Sequence, residues 1–189
     1  MTPPLFSRRA TLGLVGVAAL ALAGCNSVSG SAQRAATIDA RVDAALEFLK
    51  TDVPGAPELL DKSVGVLVMP LQTEASLGFG GSYGRGALRV NGVTVDYYQA
   101  VEGSFGVQIG AQQYAHALFF MTEEALRNFR NGIGLTAGGD LKITMADNAQ
   151  EINAQTLTAL DPVIGVVFGQ AGAIFGASID GTVYNRIIP

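Results

Sequence analysis

The segment Gly80–Gly84 places a serine in a pattern that is typical of hydrolases. Ser82 completes a G-x-S-x-G motif, and Asp96 and His116 follow it in the chain order of a catalytic triad. In such a triad the histidine takes the serine proton while the serine oxygen attacks a carbonyl carbon. The motif needs a helix directly after the serine, whereas the residues that follow predict a strand up to Asn91. We therefore favour a non-enzymatic protein and keep a serine hydrolase as a minor alternative.

Cys25 is the only cysteine and directly follows Leu22–Gly24 at the end of an apolar run. Arg8 and Arg9 precede the uncharged stretch Leu12–Ala23, which gives the charged and apolar regions of an export signal. This stretch is shorter than the roughly 20 apolar residues of a membrane-spanning helix. The pattern predicts a lipoprotein signal that is cleaved before Cys25, after which diacylglycerol and an acyl chain such as palmitate anchor the protein.

The residues around the cleavage site also bear on the destination of the chain. Its signal resembles those of bacterial lipoproteins, and that resemblance implies sorting to the outer membrane, because Asn26 and not aspartate follows the cysteine. The segment Ser7–Leu12 resembles a twin-arginine signal, although Thr11 stands where a large apolar residue is preferred. We predict an exported protein on the periplasmic face of the outer membrane. Both the general secretory route and the twin-arginine route remain open for its export.

Composition divides the chain into three parts and excludes several functions. We predict a signal peptide over residues 1–24, a flexible Ser/Ala/Gly-rich tether over residues 25–35 and one domain over residues 36–189. The net charge of −4 makes nucleic acid an improbable partner. One histidine, one cysteine and scattered carboxylates predict no metal site, and the glycine-rich segment lacks the Lys-Ser/Thr of a phosphate loop. We therefore predict no cofactor.

Two helices are expected to position the rest of the domain. Apolar residues at helical spacing predict an amphipathic helix over Thr37–Thr51, packed on its own domain and ended before Pro54. A short helix is predicted over Glu123–Asn131, with Thr122 as its N-cap and a left-handed stop at Asn131-Gly132. We predict that the basic residues in its last turn stabilise the helix and do not serve as ligands for lipid phosphate.

The remaining sequence predicts strands. Val64–Met69 is a buried strand ended by Pro70, and Asn91-Gly92 predicts a type I′ hairpin turn. The uncharged stretch Val163–Ile179 is interpreted as buried strands in preference to a membrane helix. The fold class is therefore α+β, with an N-terminal amphipathic helix, one short internal helix and about seven to nine strands. The strands form a strongly curved, glycine-rich antiparallel sheet or small barrel.

Several blocks of sequence resemble the SYLF domain family in order and spacing, from about residue 36 to residue 187. The blocks are Val64–Pro70, Gly78–Gly86, Ser104–Gln112, Leu118–Phe129 and Ile174–Gly181. The resemblance implies a lipid-binding module, because eukaryotic members bind phosphoinositides and organise actin at membranes while bacterial members are exported and often lipidated. Phosphoinositide recognition needs clustered cations, whereas Lys62, Arg85 and Arg89 are isolated. We therefore transfer general association with lipid, and neither head-group specificity nor actin binding.

The favoured function is a lipid-anchored envelope protein whose domain binds lipid or a membrane surface. The candidate ligand-binding residues are Phe79, Tyr83, Arg85 and Phe105, because glycine neighbours let aromatic and cationic side chains approach a lipid. The same four side chains can alternatively pack the core. The alternative function is an interaction or structural lipoprotein whose domain docks another envelope protein.

Overall fold

The computed structural model describes residues 10–132, 135–137, 143–146, 161–172 and 179–189. The chain divides into two compact units, Met1–Ala36 with Pro189 and Thr37–Ile188, and the sheet lies in the second. The described residues form three helices, namely α1 (Ala10–Asp52), α2 (Ala56–Lys62) and α3 (Glu123–Asn131). They also form six strands, namely β1 (Gly65–Val90), β2 (Val93–Phe120), β3 (Leu135–Thr136), β4 (Ile143–Ala146), β5 (Val163–Gly172) and β6 (Val183–Ile187).

The C-terminal part of α1 packs on the sheet, as the apolar spacing predicts. Ile38, Val42, Ala45 and Leu49 recur every three or four residues and are all buried in one core. The helix begins at Ala10, so the segment predicted as a tether, residues 25–35, is helical in the structure. No helix formed by described residues has the length and apolar character needed to cross a lipid bilayer.

The helix α2 was not expected from the sequence. It follows Gly55, whose φ of 82° lies in the left-handed region, and it carries a proline in its first turn. Proline suits this position because the first helical N–H groups have no partner within a helix. Ala56 and Leu59 of α2 are buried in the same core as α1.

Two very long strands form the centre of the sheet. β1 has 26 residues and β2 has 28, and they pair antiparallel from Gly65 opposite Phe120 to Val90 opposite Val93. The turn residues Asn91 and Gly92 have φ values of 51° and 77°. Positive φ at both positions is what a type I′ turn requires, which confirms the predicted hairpin.

The strand β1 does not end at Pro70, so that prediction is wrong. The register shifts between Met69 and Gln72, where Pro70 and Leu71 oppose the single residue Ala115 of β2. A proline is tolerated at such a bulge because the extra residue does not have to donate a hydrogen bond to the ladder. The strand therefore passes through Pro70.

The other edge of β2 is shared by two strands. β6 pairs with residues Tyr97–Val101 and β5 with residues Gln112–Phe120, both antiparallel. β3 pairs antiparallel with β6. β4 pairs parallel with β5, and this parallel pair was not part of the predicted antiparallel sheet. Apart from this short pair the sheet is antiparallel and strongly curled, and the predicted α+β class is confirmed. Of the stretch Val163–Ile179, the residues in β5 are strand as predicted, while residues 173–178 lie outside the described part of the chain.

The strand β1 bends back over itself. A Cβ atom on Gly86 would lie 1.9 Å from the carbonyl oxygen of Val68, and one on Gly84 would lie 2.6 Å from that of Leu71. Two parts of one strand therefore pack backbone against backbone across the concave side of the sheet. Only glycine leaves room for this approach, which is the physical cause of the curl.

The two faces of the sheet bury different cores. One core lies beneath α1 and α2 and includes Val66, Val68, Ala117 and Phe119. The other lies inside the curl, where Leu67, Leu118 and Phe120 pack with two residues of α3, Leu126 and Phe129. The alternation of odd and even positions between the two cores follows from the two-residue period of a strand.

The helix α3 has the predicted limits and N-cap. The backbone N–H of Ala125 donates to the Thr122 side chain, and Arg130 forms an ion pair with Asp96 (2.8 Å), in keeping with a structural role. The predicted left-handed stop is wrong, because Gly132 is extended with φ −77° and ψ 158°. The Gly132 N–H instead closes the last helical turn on the Asn128 carbonyl oxygen.

Candidate functional site

The middle of the β1–β2 hairpin exposes its apolar side chains. Leu77 and Phe79 are each 77% exposed, and Tyr83 and its register partner Val101 are 45% and 38% exposed. We call these residues, together with the 36%-exposed Leu71, the outward strip. Soluble proteins rarely leave apolar side chains so exposed in one contiguous stretch, and such stretches mark surfaces that bind another body.

The alternate positions of the same hairpin are polar and buried. Gln72, Ser82 and Gln112 of the hairpin, and Thr182 just before β6, are all less than 5% exposed, on the concave side of the sheet. We call these four residues, with the half-buried Glu102, the inner polar cluster. The usual order of a half-buried strand, with apolar residues inward and polar residues outward, is therefore inverted here.

Hydrogen bonds connect the inner polar cluster. The Gln72 amide nitrogen donates to the Ser82 hydroxyl at 2.8 Å and lies 3.4 Å from the carbonyl oxygen of Ala100. The hydroxyls of Ser82 and Thr182 in turn donate to one carboxylate oxygen of Glu102, at 3.4 and 3.3 Å. The cluster thus fixes the two arms of the bent β1–β2 hairpin to each other and to the residue before β6.

Two carboxylates share this interior. Burial raises the pKa of Glu102 above its usual value, and the negative charge of Glu74 raises it further, while hydrogen bonds from Thr182 and Ser82 oppose the shift. The Gln112 amide nitrogen donates to a Glu74 carboxylate oxygen at 2.5 Å. The concave side therefore favours a proton on Glu102 compared with a carboxyl group in water.

His116 lies deeper, between the polar cluster and the apolar core. It is fully buried, and its Nε2 lies 2.9 Å from the hydroxyl of Tyr184 on β6. Its Nδ1 has no hydrogen-bond partner among the described residues. Burial lowers the pKa of His116 to about 3, because a charged imidazole would lose its hydration there. The ring is neutral at physiological pH.

The residues of the hydrolase pattern have separate partners. Ser82 contacts Gln72 and Glu102, whereas Asp96 forms ion pairs with Arg130 (2.8 Å) and Arg186 (3.5 Å). Ser82 also lies inside β1, which continues for eight more residues as strand, so the strand–turn–helix of a nucleophile elbow is not formed at this motif. The Ser82 hydroxyl serves as a link in the inner polar cluster.

Three of the four candidate ligand-binding residues lie on the outward side of β1. Phe79 and Tyr83 belong to the outward strip, and Arg85 is exposed two residues further along. The Arg85 Nε donates to the Tyr83 hydroxyl, and its guanidinium carbon lies 5.7 Å from the Tyr83 ring centroid. Phe105 pairs with Phe79 in the register, while its side chain lies outside the described part of the structure.

The isolated cation Arg89 has a structural role. It forms ion pairs with Asp43 at 2.6 Å and with Asp39 at 3.4 Å, both on α1. The Asp39 carboxylate also accepts hydrogen bonds from Thr94 and Tyr97 of β2. Arg89 therefore holds α1 against the hairpin and is not available to an external ligand.

Leu77 and Val101 were missed as site residues. The signal for Leu77 was present, because polar residues occupy alternate positions of the stretch from Gln72 to Ser76. Alternation alone assigns the apolar set to the interior, however, and the interior here is the polar side. Only the packing of β1 on itself identifies the outward set.

The comparisons with known proteins point to one family. Residues 101–186, nearly half of the chain, match the family model described as Ysc84, Las17-binding protein actin regulator. This segment begins within β2, contains α3 and ends in β6. The model describes SYLF domains, a family associated with lipid binding and actin regulation. No curated protein gives a significant match to the chain.

Proposed function

We propose that this chain, whose residues 101–186 match the SYLF (Ysc84) family model, is a non-enzymatic, lipid-anchored protein whose domain binds a membrane surface through the outward strip. The inverted alternation of the β1–β2 hairpin carries the proposal. Placing Leu77 and Phe79 in water is unfavourable by about 1.5–3 kcal/mol each compared with an apolar environment. A lipid surface supplies that environment.

The chemistry of the strip suits lipid. Apolar side chains lie beside an aromatic residue with a polar hydroxyl, Tyr83, and a cation, Arg85, that contacts it. Tyrosine and arginine favour the boundary between acyl chains and head groups because each combines an apolar body with a polar end. No aspartate or glutamate belongs to the outward strip, so no carboxylate has to be desolvated there.

The depth of residue 79 in a bilayer tests the proposal. The chain has no tryptophan, so Phe79→Trp creates a single fluorescent probe in the full lipidated protein. We expect its emission to be quenched at least about threefold in vesicles that contain brominated phospholipid, because a ring in the strip lies among acyl chains. Fluorescence in brominated and unbrominated vesicles measures this contact.

Val93→Trp provides the matched control. Val93 is also apolar and 63% exposed, but it lies at the hairpin turn outside the strip, so its tryptophan should remain unquenched. Equal quenching at both positions would mean that the anchor merely holds the domain near lipid. An unquenched Trp at residue 79 would contradict membrane contact and favour the alternative of docking to a protein.

We also propose that acylated Cys25 anchors the protein to the periplasmic face of the outer membrane. The support is the sequence Leu22–Cys25 behind an arginine-led apolar run. The expected result is incorporation of radiolabelled palmitate into the wild-type chain and none into Cys25→Ser. An unlabelled and uncleaved wild-type chain, in cells where another lipoprotein is labelled, would contradict the anchor.

A further inference from the structure

A groove lies between α1 and the sheet, at the bulge formed by Pro70 and Leu71. Its volume is about 520 Å³, within the range of small-molecule sites. The groove exists because α1 presents the small residues Ala44 and Ala45 there, and because Gly169 of β5 carries no side chain. Gly169 has a φ of 62°, a conformation that favours glycine and so keeps this wall of the groove open.

The walls of the groove are mainly apolar. Phe48 of α1 and Phe168 of β5 both line it and stack with their ring centroids 5.9 Å apart. Phe48 is 41% exposed and Leu71, which also belongs to the outward strip, is 36% exposed. The lining therefore offers a partly open apolar channel that a hydrocarbon chain can fill.

Among the described residues, Arg41 is the one charged residue that lines this groove. Arg41 is exposed and has no ion-pair or hydrogen-bond partner among the described residues. The acidic residues next to it on α1, Asp39 and Asp43, are both paired with Arg89. In a chain with 16 acidic and 12 basic residues, an unpaired arginine beside an apolar channel is complementary to an anion attached to a hydrocarbon.

We propose that this groove binds one long-chain fatty acid, with the acyl chain between α1 and the sheet and the carboxylate on Arg41. A fatty acid matches the single cation, because its head group carries one negative charge and accepts the two parallel hydrogen bonds that a guanidinium donates. A phosphomonoester carries close to two charges and would call for more cations than the described residues of the lining provide. The outward strip contacts a surface, whereas this site holds one molecule at a time.

Photolabelling of the full lipidated chain in lipid nanodiscs tests the proposal. The probes are palmitate with a diazirine in the middle of its chain and the corresponding long-chain alcohol. We expect palmitate to label the peptides that contain Phe48 or Phe168, which lie in the groove and not in the outward strip, about tenfold more than the alcohol does. Arg41→Gln should reduce palmitate labelling about tenfold and leave the alcohol unchanged, since only the acid loses a charged hydrogen-bond partner. Ala44→Phe, which fills the groove, should reduce labelling by both probes.

Two variants outside the groove are the controls. Arg127→Gln removes an exposed arginine from α3, and Ala40→Phe adds a ring to α1 away from the groove, and both should label like the wild type. Equal labelling by acid and alcohol, unaffected by Arg41→Gln, would overturn the proposal and indicate a phospholipid acyl chain. Labelling elsewhere would also overturn it. Neither result bears on the outward strip, which Phe79→Trp tests separately.

Discussion

Gly86→Ala will destabilise the domain by more than about 3 kcal/mol, because the new methyl group has no space. Its Cβ would lie 1.9 Å from the Val68 carbonyl oxygen and 2.6 Å from the Met69 sulfur. A backbone oxygen cannot move like the end of a flexible side chain, so the two arms of β1 have to separate and the concave core has to open. Such a loss is a large part of the 5–15 kcal/mol that stabilises a typical domain. Urea unfolding followed by circular dichroism measures the change.

Gly103→Ala is the matched control for this prediction. Gly103 lies in β2, its φ is not in the left-handed region, and a Cβ there would meet no atom within 4 Å. We expect its free energy of unfolding to stay within about 0.5 kcal/mol of the wild type. If both alanine variants unfold alike, then the curl does not depend on close approach at Gly86.

Acid will destabilise the protein through His116. The unfolded chain takes up a proton near the usual pKa of 6.5, while the folded ring does not until about pH 3. Below pH 6.5 the unfolded state therefore binds more protons, and stability falls as the pH falls toward 3. From about pH 6 to about pH 4 this single group should remove about 2.5 kcal/mol from the free energy of unfolding.

The measurement compares His116→Gln with the wild type across this pH range. Other titrating groups affect both proteins, so their difference in unfolding free energy isolates the imidazole. The variant is expected to be the less stable protein at neutral pH and to approach or exceed the wild type near pH 4. Tyr184→Phe is a second control, because it removes the hydrogen-bond partner of Nε2 but keeps the buried ring, and should keep the acid sensitivity. Parallel pH profiles for wild type and His116→Gln would refute the assignment.

Local sequence signals predicted most of the elements. The spacing of Ile38, Val42, Ala45 and Leu49 located the packed face of α1, and Asn91-Gly92 located the hairpin turn. These signals are reliable because a turn or an amphipathic face is encoded by residues that are close in the sequence. The prediction that a strand ends at Pro70 was wrong for the opposite reason. Whether a proline ends a strand or sits in a bulge depends on the register of the partner strand, which is not a local property.

The candidate site was only partly accessible from the sequence. Phe79, Tyr83 and Arg85 were selected because of their glycine neighbours, and the structure places all three on the outward side of one strand. The groove at Arg41 had no sequence signal, because it depends on a gap between α1, β5 and the bulge in β1. The role of Arg89 was equally hidden, since its partners on α1 lie more than 40 residues earlier in the chain.

By itself the sequence determined the α+β class, the amphipathic face of α1, the hairpin and the family resemblance. Each of these depends on short-range patterns or on blocks of consecutive residues. The tertiary structure alone decided which side of the hairpin is inside. A two-residue alternation separates polar from apolar side chains but does not say which set is buried. Here β1 folds back on its own glycines, so the side that bears Gly84 and Gly86 closes on itself and buries the polar cluster. The apolar set, with Leu77 and Phe79, is left facing outward.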